Sequence, residues 1–148
     1  MDKAVLVGAD IKKDGMIDYY MEELVNLAEA KNIEVVYTIT QAVKSITANF
    51  FIGSGKVLEI KQFVDNLDAD MVIFNDELSG SQLRNLENAL DCRVIDRTLL
   101  ILDIFAERAK TKEAMLQVEI AQLNYMLPRL VGLTESLNRQ QGGIGSKG

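Results

Sequence analysis

From Ala4 to Ile95 the apolar residues change period repeatedly, and this alternation leaves the chain few architectures to adopt. Ala4 to Val7 is a short apolar run closed by Gly8, and Ile33 to Ile39 is rich in β-branched residues, so both read as strands. Between them Ile17, Met21, Leu24, Val25, Leu27 and Ala28 recur at helical spacing, with Asp14 or Asp18 placed to cap the start. The pattern then repeats. Val57, Leu58, Ile60, Phe63, Val64 and Leu67 suggest a helix, Met71 to Phe74 a strand, Leu83, Leu86 and Leu90 a helix, and Val94 with Ile95 a last strand. Ser79 followed by Gln82 has the spacing of a capping box for the third helix. Strands alternating with helices imply a small parallel sheet with flanking helices, an α/β fold.

From Thr98 the period becomes seven. Leu102, Ala109, Leu116, Leu123, Leu130 and Leu137 form one row, and Ala106, Ile120 and Leu127 a second row four residues after members of the first. This predicts one long helix over 98–138, roughly 60 Å at about 1.5 Å per residue, with Pro128 inside it as a point of bending. The expected division is an α/β subdomain over 1–97, the long helix over 98–138 and a glycine-rich loop or tail over 139–148. A stripe of Leu102, Ala109, Leu116, Ile120, Leu123, Leu127, Leu130 and Leu137 is too long to stay in water and calls for a partner helix. The segment from Arg139 to Gly148 reads as the turn of a helical hairpin whose return helix lies beyond these residues, or as a plain tail.

Composition narrows the chemistry. With no histidine and with Cys92 as the one cysteine, no internal disulfide forms and neither metal binding nor nucleophilic catalysis finds its usual ligands. No apolar run approaches the ~20 residues of a membrane span, and the N-terminus lacks the order of a signal peptide, which points to the cytoplasm. The net charge of −6 argues against general nucleic-acid affinity, but it is unevenly spread. Before Arg97 there are 9 basic and 17 acidic residues; from Arg97 on there are 7 and 5, so an anionic partner would meet the second part.

Two glycine motifs fail their own tests. Gly53-Ser54-Gly55-Lys56 lacks the earlier glycine and the following Ser or Thr of a Walker loop, and reads as a tight turn opening a helix with Lys56 in solvent, or else as backbone N–H groups holding an anion at that helix start. Gly143-Ile-Gly-Ser-Lys-Gly148 has the letters of a dinucleotide fingerprint but follows a helix instead of a strand. With Arg139, Lys147 and no acid, it suits a flexible contact to a phosphate backbone or a linker. Asp96 with Arg97 reads as a helix cap and ion pair, and Phe50 and Phe51 as core.

Several runs taken together resemble the N-terminal domain of the ribosome-associated GTPase HflX. They are Phe51-Ile-Gly-Ser-Gly-Lys-Val-Leu-Glu59, Asn75-Asp-Glu-Leu-Ser79 with Gln82 and Arg84-Asn-Leu-Glu87, and Asp96-Arg-Thr98 before Leu102-Asp-Ile-Phe-Ala106, Arg108-Ala109 and Thr111. Gln117-Val-Glu-Ile-Ala-Gln-Leu123, Leu127-Pro-Arg-Leu130 and Arg139-Gln-Gln-Gly-Gly-Ile-Gly145 continue the likeness over nearly the whole chain. The resemblance implies an α/β subdomain followed by an antiparallel helical pair, of which this chain holds the first helix. It also implies docking on the large ribosomal subunit, with Arg129, Arg139, Gln140, Gly142, Gly143, Gly145 and Lys147 as the ribosomal RNA contacts. Lys147 stands where the family usually has arginine, so it offers a point charge without the bidentate fork.

By the same comparison GTP and Mg are cofactors of the full-length family, held by its own GTPase domain after the return helix. No cofactor, metal or hydrolytic activity is expected of these 148 residues. Two rival functions stay open. One is an interaction module pairing with a second copy through the heptad stripe. The other is a small-molecule enzyme at the carboxyl edge of the sheet near Gly8, Gly53, Asp76 and Asp96.

Overall fold

The computed structural model describes residues 1–11, 14–42 and 49–143, with side chains as far as Leu130. Nine elements follow in order: β1 (Lys3–Asp10), α1 (Ile17–Ala30), β2 (Glu34–Ala42), α2 (Ser54–Asn66), β3 (Met71–Phe74), α3 (Gly80–Leu90), β4 (Arg93–Asp96), α4 (Arg97–Arg108) and α5 (Lys112–Gly143). The strands form one parallel sheet in the order β2-β1-β3-β4, as the alternation of periods predicts.

Side chains of successive strand residues point to opposite faces, so a strand covered on both faces must be apolar throughout. β1 and β3 meet that condition. Ala4, Leu6, Met71 and Ile73 join Met21, Leu24 and Ala28 of α1 and Leu100 and Ile104 of α4 in one core. Val5, Val7, Val72 and Phe74 join Val57, Ile60 and Val64 of α2 and Leu86 and Leu90 of α3 in the other. Gly8 belongs to this packing, because a Cβ there would overlap the sulfur of Met21 and press on Ile17 Cδ1 at 3.2 Å. Phe51 is buried as expected, and Phe50 packs partly buried against the same core.

The start of α3 agrees with the sequence. Ser79 Oγ accepts from Gln82 N–H at 3.1 Å while Gln82 Oε1 accepts from Ser79 N–H at 2.9 Å, a complete capping box. At α1 the expected side-chain cap is not formed: the N-cap position is Met16, Asp14 Oδ1 accepts from Met16 N–H at 3.0 Å one step earlier, and Asp18 stands in the first turn. Gly53 opens α2 as expected, but Lys56 is not left in solvent: its side chain is 18% exposed and pairs with Glu59 one turn on at 2.8 Å.

The single helix expected over 98–138 is instead two. α4 stops at Arg108, Ala109 turns to extended backbone (φ −68, ψ 122), and Thr111 Oγ1 accepts from Ala114 N–H at 3.1 Å to start α5. Packing explains the division. α4 lies on the sheet beside α1, burying Leu100 and Ile104, whereas α5 packs against both α3 and α4. One straight helix cannot cover the sheet face and also cross to α3, so the heptad row from Leu102 through Ala109 to Leu116 spans a break. α5 then passes through Pro128 and continues to Gly143, taking in the first part of the segment expected as loop. Among the described residues no helix is long and apolar enough to cross a membrane.

Candidate functional site

Two faces of α5 differ in everything but spacing. Val118, Gln122, Tyr125 and Arg129 recur at four, three and four residues and are partly buried on the α/β body. Opposite them, Leu116, Ile120, Leu123, Leu127 and Leu130 follow the same rhythm two positions earlier, yet each is between 48% and 57% exposed. The expected stripe therefore exists from Leu116 to Leu130 and lies open. Leu102 and Ala109, on the other side of the break, are partly buried, and nothing is described of the side chain of Leu137.

The inner face is held by polar contacts. Asp96 ends β4, is 1% exposed, and caps α4 by accepting from Leu99 N–H at 3.1 Å. Its Oδ2 also accepts from Leu78 N–H at 3.1 Å and from the hydroxyl of Tyr125. Burial first, and the bond to Asp96 second, push the Tyr125 hydroxyl well above its ordinary range, so it remains a donor. Arg129 lies over the Tyr125 ring at 3.4 Å from guanidinium carbon to centroid. Its Nε donates to Leu78 O at 3.0 Å and Nη1 to Tyr125 O at 2.7 Å, while Nη2 stands 4.0 Å from Glu77. Gln122 adds a long 3.5 Å bond to Asp103.

The resemblance implied Arg129 as an RNA contact. Here its guanidinium is turned onto the body, with 14% of the side chain exposed. Arg139, Gln140, Gly142 and Gly143 fall in the last turns of α5, where no side chains are described; Gly145 and Lys147 lie outside the described residues. Tyr125 was missed altogether, because its partner is 29 positions away and a single tyrosine on a helix gives no signal.

A concavity of about 480 Å³ opens at the carboxyl ends of β1 and β3, where Asp10, Asp14, Asn75, Asp76 and Arg97 meet Ile17 and Tyr20. Asp76 accepts from Ala9 N–H at 3.1 Å, and burial raises its pKa against that bond. Arg97 does not pair with Asp96 as the sequence suggests; it reaches Glu23 and Asn75, both at 3.0 Å, and Tyr20 O at 3.3 Å. Asp76 and Asp96 therefore serve different places, the crevice and the α5 contact. Gly53 contributes only the start of α2.

Residues 18–106 match the family described as GTP-binding GTPase N-terminal, and residues 108–148 match the GTP-binding GTPase middle region. The boundary between the two matches falls at the end of α4, next to the break before α5. The chain is 56% identical over 128 residues to the GTPase HflX of Caldanaerobacter subterraneus subsp. tengcongensis, covering 86% of this chain and 30% of that protein. It is 47% identical over 149 residues to GTPase HflX of Alkalihalophilus pseudofirmus (100% and 35%) and 44% identical over 147 residues to that of Escherichia coli (99% and 34%). The chain thus spans about a third of the length of these relatives. Among solved structures, a GTP-binding protein of Sulfolobus solfataricus in complex with GDP superposes with a TM-score of 0.68 at 27% identity, over 97% of this chain and 43% of that one.

Proposed function

We propose, from the premise that this chain belongs to the GTP-binding GTPase N-terminal family, that it is the ribosome-docking part of an HflX-like GTPase and binds without performing chemistry. In this reading α5 is a strut. Its inner face is fixed to the α/β body, and its far end carries Arg139, Gln140, Gly142 and Gly143 toward RNA of the large ribosomal subunit, which Gly145 and Lys147, next in sequence, also contact in this reading. The observation that carries the reading is the two-sided α5, anchored along one face and open along the other.

The segment Arg139–Gly148, with two basic residues, no acid and four glycines, lets backbone and cations approach phosphates closely. GTP and Mg belong, in this reading, to the GTPase part of the longer protein. The open stripe then serves to pair with a second helix of that protein. Replacing Arg139 and Lys147 by Glu should sharply weaken co-sedimentation with large subunits; undiminished association would remove the α5 end from the interface.

A second reading rests on the same exposed row. Leu116, Ile120, Leu123, Leu127 and Leu130 alternate by four and three, the spacing at which two copies of a helix interlock. It requires self-association of this chain at tens of micromolar, and a monomer by light scattering would dismiss it.

A further inference from the structure

We infer that Tyr125, Arg129 and Gly80 are positioning residues: together they form the mount that sets the direction in which α5 leaves the body. This rests on the docking reading above for its purpose, but its geometry stands without it. Three contacts of different kinds meet within one helical turn. The Tyr125 hydroxyl is bound to a carboxylate that two backbone amides already fix in place, so the phenol meets a rigid acceptor. The Arg129 guanidinium carbon stands 3.4 Å over the centroid of the Tyr125 ring, and Nε donates to the carbonyl of Leu78, the residue just before the capping box of α3. At Gly80, the first residue of α3, a Cβ would overlap the Arg129 carbonyl and lie 2.8 Å from its carbon, so the two helix backbones touch directly.

The location gives the contacts their role. Pro128 sits inside α5 and cannot donate to the carbonyl of Asn124, which leaves that turn the weakest of the helix. Arg129 Nη1 donates to the adjacent carbonyl of Tyr125 at 2.7 Å, and the mount therefore grips α5 on both sides of the proline. From Arg129 to Gly143 the helix extends roughly 20 Å at ~1.5 Å per residue. A tilt of about 10° at the mount would carry the far end through ~3–4 Å, more than a hydrogen bond to a phosphate tolerates. Arg129 thus acts on docking through direction and makes no RNA contact itself.

The test measures direction with no ribosome present. In the whole chain with Cys92→Ala, spin labels are placed at Gln62→Cys on α2 and Ser136→Cys on α5, and the distance between them is read by pulsed electron resonance. Arg129→Lys, which keeps the charge but loses the fork and the ring stacking, and Tyr125→Phe should each broaden or shift the distribution by ~3 Å or more while circular dichroism holds. A distribution unchanged in both folded variants would overturn the mount. Large-subunit co-sedimentation then separates the two ideas. A shifted distance with weakened association supports both, whereas a shifted distance with full association keeps the mount and defeats the docking reading. If Arg129→Lys moves neither quantity while Arg129→Glu abolishes association, Arg129 is an RNA-facing charge and the inference fails.

Discussion

The hydroxyl of Tyr125, on α5, donates to the carboxylate of Asp96, which closes β4 and caps α4, so one buried acid joins the sheet, the helix that covers it and the helix that projects from it. Removing only the hydroxyl with Tyr125→Phe should cost about 2 kcal/mol, the scale of a hydrogen bond to a charged group. Asp96→Ala strands the Leu78 amide and the Tyr125 hydroxyl and removes the α4 cap, so about 3 kcal/mol or more is expected. Urea unfolding of the two variants would order them; equal losses would mean that the tyrosine alone accounts for the role of Asp96.

Gly80→Ala usually favours a helix by up to about 1 kcal/mol. Here the added methyl meets backbone, which cannot swing aside as a side chain can. The expected result is a loss of about 1–3 kcal/mol, as for other overpacked sites. A gain in thermal midpoint would show that α5 yields at no cost.

The two apolar populations of the C-terminal helices should respond differently to truncation. Leu100 is fully buried, and Leu100→Ala should cost about 2–5 kcal/mol. Leu123, half exposed, should tolerate Leu123→Ser within about 0.5 kcal/mol in this chain. Comparable losses at both positions would mean that the open face is covered in solution.

Alkaline pH should reveal two groups whose protons the fold retains. Burial pushes the Cys92 thiol from 9.0 to about 11, and burial with the Asp96 bond pushes Tyr125 upward from 10.0. A raised pKa means that the native state holds the proton more tightly. The associated stability is complete below the unfolded value and drains as pH rises through the native one, from about 9 upward. Tyr125→Phe should flatten the upper part of that decline. At pH 8 the native thiol should be alkylated roughly a hundredfold more slowly than in urea, as two pH units of thiolate fraction imply.

Asp76→Asn is the case in which losing a charge should help. Burial raises the Asp76 pKa, so its ionised form opposes folding at neutral pH; that penalty shrinks as the pH falls from the native value and is gone below the ordinary value of 3.8. Asparagine retains an acceptor for Ala9 N–H. Thermal unfolding at pH 7 should rise relative to the parent and converge with it in acid; a lower midpoint at pH 7 would show that the carboxylate is stabilised by its surroundings.

The sheet was readable in the sequence because a doubly covered parallel strand has to be apolar on both faces, as Ala4–Val7 and Met71–Phe74 are. The box at Ser79 and Gln82 and the cap at Asp96 were readable for a related reason, since donor and acceptor lie three positions apart. The break between α4 and α5 was hidden by a heptad row that runs in phase across it. A local sign was nonetheless present: Arg108 in a last turn, then Thr111 and Glu113 placed as a cap and a first-turn acid. The contacts of Arg129 with the body were not readable, because the resemblance offered it only as an RNA contact. The carbonyl that receives it is at Leu78, 51 positions earlier, a distance over which no spacing rule applies.

The short joint over 109–111 separates two kinds of tolerance. Within a continuous helix, one inserted residue would swing everything downstream by about 100° and scramble which side chains face inward. At an extended joint the same insertion is taken up as slack. Linker length and helix phase can therefore vary independently, and α5 can be lengthened at its far end while its inner-face contacts and the seat of α4 on the sheet stay as they are.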